Sequence, residues 1–216
     1  MFYEDLCTIT ACDRQQLLAR PILQRVVSGS ITRENYAAFL VNAWQHVQHT
    51  VPLMMAMGSR LQDTYRWMLP ALKDYINEEI GHEAWIEDDL RAFADDVERR
   101  LSMPASFEVE VMVRYMYDYI CRQNPVGFLG MVHVLEGTST SLATHMAALV
   151  QKSLQLPDSA FSYLRSHGDL DQEHVVHFAN LINRLEDQAD RDCIFHVART
   201  MYRLYGAVLD QAGAST

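Results

Sequence analysis

Apolar residues recur at helical spacing along almost the whole chain, while alternating, strand-like stretches are short and few. Such a period is typical of helices that bury one face, so the pattern predicts an all-α fold. The 216 residues suffice for one sizeable core, and we expect a single domain over residues 1–216. Seven helices are predicted, at approximately residues 3–27, 33–57, 69–95, 106–122, 126–154, 159–185 and 190–211.

Prolines and glycines indicate where these helices bend or end. Pro21 must begin a new turn or kink the first helix, because proline lacks the backbone N–H that helices use. Thr32 is the predicted N-cap of the second helix, and Pro52 should bend that helix. Gly81 lies within the third helix, where glycine is disfavoured by about 1 kcal/mol, so we expect a close packing partner there.

The charge balance argues against some classes of partner. With 18 Lys and Arg against 28 Asp and Glu, the net charge is -10, which disfavours binding to nucleic acid. The first residues are acidic where a signal peptide is basic, and no apolar run approaches the roughly 20 residues of a membrane span. We therefore expect a soluble, cytoplasmic protein without a membrane partner. The four cysteines form no CxxC pair and are expected to be reduced thiols.

The sharpest local pattern is SHGDLDQEHVVHF in the sixth helix. His167, Asp171 and His174 stand at positions i, i+4 and i+7, which places them within roughly 60° of arc on one helix face. Imidazole and carboxylate are ligands that iron, manganese and zinc accept, so the stripe predicts a metal site. The alternative is a surface or core-edge helix on which Asp171 only pairs with a histidine.

Two further segments carry candidate ligands. In NEEIGHEAW, Glu79 and His82 stand at i and i+3, although acidic clusters on helices are usually solvated. Glu136 is a lone carboxylate in the apolar stretch GFLGMVHVLEGTSTSLATHMAAL, and a buried carboxylate must be paired or neutralised. Either a metal compensates its charge, or nearby hydroxyl groups hold it, the candidates being Thr138, Ser139 and Thr140.

Taken together, the three segments suit an iron site in a helix bundle, where facing helices supply carboxylates and imidazoles. A strict ferritin pattern would need two Glu-x-x-His helices and two more glutamates, and only Glu79-x-x-His82 fits it. The second half of the pattern is His-x3-Asp-x2-His instead.

The order of these motifs resembles the haem-oxygenase-like diiron oxidase and oxygenase family, also called iron-containing redox enzymes, over nearly the whole chain. The resemblance rests on the Glu79/His82 helix, the Leu135-Glu136-Gly137 motif and the SHGDLDQEH triad. It implies a seven-helix haem-oxygenase-like bundle that holds two irons between core helices and activates dioxygen. The implied ligands are Glu79, His82, Glu136, His167, Asp171 and His174.

The family pattern leaves several roles open. Glu136 is placed to bridge the metals, and Glu78 or Glu83 could replace Glu79, because the first spacing varies among relatives. Some relatives take another carboxylate from an earlier helix, where this chain has histidines instead. Candidates for the second shell or the substrate pocket are His46, His49, His133 and His177.

Two other functions share the fold. A metal-free hydrolase of the thiaminase-II type would use a nucleophilic cysteine, for which Cys121 is the candidate. A haem or small-metabolite binding protein is the other, although haem oxygenases hold haem by a histidine near the N-terminus and none precedes His46 here. The resemblance further implies a small substrate with an amino or carboxyl group, an electron donor and a homodimer.

Overall fold

The structure is a computed structural model that describes the backbone of residues 1–214 and the side chains of residues 1–139, 142–166 and 175–214. This part of the chain contains only helices and their connections, so the all-α prediction is confirmed. The α-helices in order are α1 (Phe2–Leu18), α2 (Pro21–Ser28), α3 (Arg33–Val47), α4 (Thr50–Arg60), α5 (Leu69–Glu79), α6 (His82–Arg91), α7 (Val97–Leu101), α8 (Phe107–Arg122), α9 (Phe128–Leu154), α10 (Ser162–Ile182) and α11 (Gln188–Ala214). Short 3-10 helices occupy Asp63–Met68, Pro125–Gly127 and Asp158–Ala160.

Local sequence explains the helix boundaries near the N-terminus. Pro21 is the first residue of α2, where a missing N–H costs no intrahelical bond, and Gly29 ends that helix with φ at 71°. Thr32 caps α3 as predicted, because its side chain accepts from the Asn35 N–H at 3.1 Å. In return, the Asn35 side chain accepts from the Thr32 N–H at 3.3 Å, which completes a reciprocal cap.

Three of the seven predicted helices are each divided in two, the first of them between Leu18 and Pro21, and the short helix α7 was not predicted. Together these differences account for the larger helix number. The predicted helix 33–57 ends at Val47 and restarts at Thr50. Pro52 lies in the first turn of α4, where backbone N–H groups have no intrahelical partner, so it causes no bend inside a continuous helix. The predicted helix 69–95 is likewise broken after Glu79, and α6 restarts at His82.

Gly81 forms the break after Glu79, and the prediction that a close packing partner explains this glycine was wrong. A Cβ added at Gly81 would meet nothing within 4 Å in the described part of the molecule, but the residue has φ at 91°. That left-handed conformation favours glycine over residues with a side chain. Glu79 therefore ends one helix and His82 begins the next.

The core is organised around α9 and α11, the two 27-residue helices. Helix α9 packs along both α10 and α11, and α11 packs in turn against α1, α3 and α8. Gly130 allows a close crossing, since a Cβ there would lie 2.6 Å from the Ile194 carbonyl oxygen and 2.7 Å from the Ala198 nitrogen. Within the described residues, no helix combines the length and the apolar character needed to cross a bilayer.

Candidate active site

A partly open cavity with a volume of about 170 Å³ lies beside α9. Its wall includes residues of α2, α3, α4, α5, α10 and α11, and most of these residues are apolar. Two carboxylates, those of Glu79 and Glu136, belong to this wall, while the described lining contains no Lys or Arg. An apolar cavity with a few convergent polar groups is the usual form of a small-molecule site.

Glu79 is the last residue of α5, and His82 is the first residue of α6. The Oε2 atom of Glu79 lies 3.1 Å from Nδ1 of His82, and only 10% and 5% of the two side chains are exposed. The indole of Trp85 stacks on the His82 ring at 4.2 Å and restricts its orientation. The turn at Gly81 thus produces a buried carboxylate–imidazole pair from two successive helices.

Glu136 reaches the same cavity from the middle of α9. The Tyr75 hydroxyl donates a hydrogen bond to Oε2 of Glu136 at 3.4 Å, which joins α5 to α9. Burial raises the pKa of Tyr75 far above its usual range, and the nearby charge of Glu136 adds to this effect. Tyr75 therefore remains a neutral donor to the carboxylate. Tyr75 was not among the predicted site residues, although it precedes Glu79 by four positions on the same helix face.

The structure discriminates among the three acidic residues proposed near the first ligand position. Glu79 lines the cavity, whereas Glu78 is exposed and Glu83 is half-buried outside the cavity wall. Farther along α6, Asp88 is exposed and Glu87 accepts hydrogen bonds from Trp44 and Arg91. Glu78 and Asp88 therefore form the solvated side of the acidic cluster, whereas Glu87 is half-buried.

The candidate pocket histidines separate into different environments. His46 is buried, lines the cavity and packs edge-on against the Tyr205 ring at 6.1 Å. His49 is half-buried and outside the wall, with Nδ1 at 3.2 Å from the Tyr117 hydroxyl, and burial lowers its pKa. His133 is buried but outside the wall, and His177 is exposed. The pocket role is therefore supported for His46 alone among the four.

The side chains of His167, Asp171 and His174 lie outside the described residues, as does that of Thr140. The helix that carries the triad, α10, packs against α9 and α6, the helices of Glu136 and His82. Among the described side chains, no group of three or more His, Cys, Asp or Glu is arranged to hold an ion. The described donors are therefore the Glu79–His82 pair and Glu136, which lines the same cavity as Glu79.

Cys121, the candidate nucleophile of the metal-free alternative, is exposed on α8. The other three cysteines are equally absent from the described cavity wall. The thiol groups are therefore not part of the cavity that contains the two carboxylates.

The fold is the helical bundle of haem oxygenases and related proteins. A domain of unknown function with a haem-oxygenase-like fold from Shewanella denitrificans superposes with a TM-score of 0.88 at 20% identity, covering 99% of this chain and 92% of that one. Haem oxygenase-1 from the cyanobacterium Synechocystis, solved with haem, gives 0.77 at 12% identity, covering 97% and 91%. A TenA homologue from Pseudomonas syringae gives 0.74 at 10% identity, covering 98% and 92%. At such identities the likeness establishes the fold alone.

A sequence match to a family model gives more specific information than the shared fold. The model of the iron-containing redox enzyme family matches residues 37–206, and the chain belongs to that family. The match extends from α3 to α11 and so includes Glu79, His82, Glu136 and the triad segment. No curated protein matches the chain in sequence.

Proposed function

We propose that the chain is a non-haem diiron oxidase or oxygenase that uses dioxygen to oxidise a small metabolite carrying an amino or carboxyl group. One observation carries the proposal: Glu79 and Glu136, from different helices, line the same apolar cavity, and Glu79 lies 3.1 Å from His82. Membership of an iron-containing redox enzyme family supports the choice of metal.

The donor set fits iron. Carboxylates and neutral imidazoles are the side chains that non-haem iron accepts in proteins, and helix bundles commonly supply them from facing helices. Glu79, His82 and Glu136 would hold the metal together with His167, Asp171 and His174 of α10. The packing of α10 on α6 and α9 makes it a neighbour of both described parts of the site.

The surrounding residues have separate tasks in this proposal. Bound iron would supply the electrons that dioxygen needs for reduction. Tyr75 donates to Glu136 and fixes the orientation of that carboxylate, as partners of ligating groups commonly do. The apolar wall excludes bulk water and orients the substrate, which strengthens every electrostatic interaction inside the cavity.

Iron content tests the proposal directly. Protein expressed with added iron and handled without oxygen should contain about two irons per chain and consume dioxygen after reduction. The His167→Ala, His174→Ala double variant should lose this iron, because it removes two of the six proposed ligands. The matched control is His177→Ala, which alters an exposed histidine on the same helix and should retain the metal.

A folded double variant with unaltered iron content would overturn the proposal. Circular dichroism establishes whether the variant folds. If it does not, Glu79→Gln provides the second test, since it replaces a carboxylate with an amide of the same shape. That variant should also lose iron while the helical signal persists.

The metal-free thiaminase-type alternative makes the opposite prediction. Cys121→Ser would abolish the activity of such an enzyme, whereas chelators would leave it unchanged. For a haem-binding protein, titration with haem would produce a Soret shift. We expect neither result, because Cys121 is exposed outside the cavity wall and the cavity contains carboxylates.

A further inference from the structure

The cavity continues along α9 well beyond the two carboxylates. Its lining residues on this helix begin at Phe128 and end at Val150, with Glu136 between them. At 1.5 Å per residue, Val150 lies about 21 Å along the helix axis from Glu136, and Phe128 lies about 12 Å in the other direction. The lining therefore follows most of the length of α9, which makes the cavity an elongated channel.

Among the described residues, the wall of this channel beyond Ser139, toward Val150, is mainly apolar. Side chains of α2, α9 and α11 and one residue before α3 form its wall, namely Ile22, Val26, Ile31, Met146, Val150 and Leu209. Two polar side chains near this end donate to backbone groups: the Asn35 amide to the Ala212 carbonyl at 3.2 Å, and the Tyr36 hydroxyl to the Ala160 carbonyl at 2.7 Å. A ligand here would gain mainly from burial of apolar surface.

We propose that the substrate of the proposed oxidase is an unbranched alkyl or acyl chain. Its reactive end lies at Glu79 and Glu136, and its tail extends along α9 toward Val150 and Leu209. This inference rests on the proposed function for the reaction, but the apolar channel itself is independent of iron. The long and mainly apolar lining favours an extended chain over a compact or ring-shaped molecule.

Ala143 lines the channel midway between Glu136 and Val150. It lies two helical turns after Glu136, on the same side of α9, and is 5% exposed. Its methyl group leaves space where a larger side chain would project into the channel. Val150 lies on the same side of α9, two helical turns after Ala143. Substitutions at these two positions should therefore shorten the channel by different amounts.

The test is binding of straight-chain molecules of increasing length, measured by calorimetry without oxygen. Carboxylic acids, primary amines and primary alcohols form three arms, which distinguish the head group while sharing the tail. Affinity should rise about fourfold per added methylene and then level off when the tail fills the channel. Ala143→Leu should move this plateau to shorter chains, and Val150→Phe should move it less. The exposed Ala148→Leu on the same helix should leave the series unchanged.

Iron content, measured on the same samples, separates this inference from the proposed function. Chain-length dependence in iron-free protein would support the channel even if the oxidase proposal failed. Affinity that does not depend on chain length in any arm would overturn the inference, even in protein with two irons. So would an Ala143→Leu variant that binds the longest chains as tightly as the original protein.

Discussion

His133 and Glu136 are polar residues one turn apart on α9, the first buried and the second half-buried, and their surroundings differ. Nε2 of His133 lies 3.3 Å from the Thr10 hydroxyl, and the rings of Tyr3, Phe178 and Tyr202 surround it with centroids 6.1–6.3 Å away. Glu136 instead lines the cavity and accepts from Tyr75. The histidine belongs to a closed cluster of side chains from α1, α9, α10 and α11, whereas the carboxylate borders space that a ligand can enter.

This difference separates a polar residue held within the core from one that borders a cavity. Both residues stand in the same apolar sequence, and both need a partner because burial of an unpaired polar group is costly. The partner of His133 is another side chain of the core. The orientation of each side chain decides its role, and that orientation depends on which helices pack on each side of α9.

The largest expected effect is a difference in bound iron between the variants Glu136→Gln and His133→Gln. Glu136→Gln should reduce bound iron at least about tenfold, because an amide lacks the charge of the proposed ligand. His133→Gln should retain the iron, since its side chain lies in the closed cluster. The measurement is the iron-to-protein ratio after loading without oxygen. Equal loss in both folded variants would remove the distinction between the two environments.

Two glycines of α9, Gly130 and Gly137, allow a second comparison, which concerns packing. Gly130→Ala should lower the free energy of unfolding by about 3 kcal/mol, because the new Cβ would collide with the backbone of α11. Gly137→Ala should not destabilise, since its Cβ would meet nothing within 4 Å in the described structure and alanine favours helix. Urea unfolding of both variants measures the difference. Similar values for the two would contradict the close crossing at Gly130.

The features that could be predicted from the sequence are those with local causes. The N-cap Thr32 and the helix start at Pro21 follow from hydrogen bonding within one turn, and the structure contains both. The break at Gln48–His49 was predicted only as a bend at Pro52, whose missing N–H cannot bond to the Gln48 carbonyl four residues earlier. Gly81 stood out in the sequence as a glycine within a predicted helix, but the explanation by close packing was wrong. Its actual cause, a positive φ, cannot be read from a sequence.

The candidate site could be predicted only in part for a related reason. Glu136 was recognisable as an unusual residue because it is the lone carboxylate of its stretch, and it lines the cavity. Tyr75 was missed, since its partner lies 61 positions away and depends on how α5 meets α9. His133 and Glu136 look alike in sequence. The spacing of the triad motif on one helix face predicts a metal site, and only the family resemblance specifies two irons.

The closed cluster should also make stability depend on pH. Burial lowers the pKa of His133 from 6.5 to about 4, and the charge of Arg14 adds to this effect. Below pH 6.5 the unfolded chain therefore binds a proton that the folded protein binds only near pH 4, so stability falls as pH decreases. Between pH 7 and pH 5 this residue should cost about 2 kcal/mol of unfolding free energy.

His133→Gln isolates this contribution, because glutamine does not titrate. The difference in unfolding free energy between the variant and the original protein should change by about 2 kcal/mol from pH 7 to pH 5, in favour of the variant. His177→Gln, at an exposed position, should show no such change. A constant difference for His133→Gln would mean that the cluster admits water or a proton more readily than its packing indicates.

The smallest effect concerns α10, which contributes to both environments: Tyr163 lines the cavity and Phe178 closes the histidine cluster. Asp89 of α6 caps this helix from outside, since its carboxylate accepts from the Ser162 N–H at 2.7 Å and the Tyr163 N–H at 3.0 Å. Asp89→Ala should cost about 1–2 kcal/mol, the usual loss for a helix cap.

The position of the Asp89 cap predicts where that loss appears. Hydrogen exchange should accelerate at amides 163–166, beside the cavity, and remain slow at amides 178–182, which belong to the buried part of the helix. Asp88→Ala is the matched control, because that carboxylate is exposed and only approaches Arg91 at 3.6 Å. If both ends of α10 exchanged faster in Asp89→Ala, the helix would open as one unit. The cavity and the closed cluster would then depend on a single cooperative element, and a change at either one would reach the other.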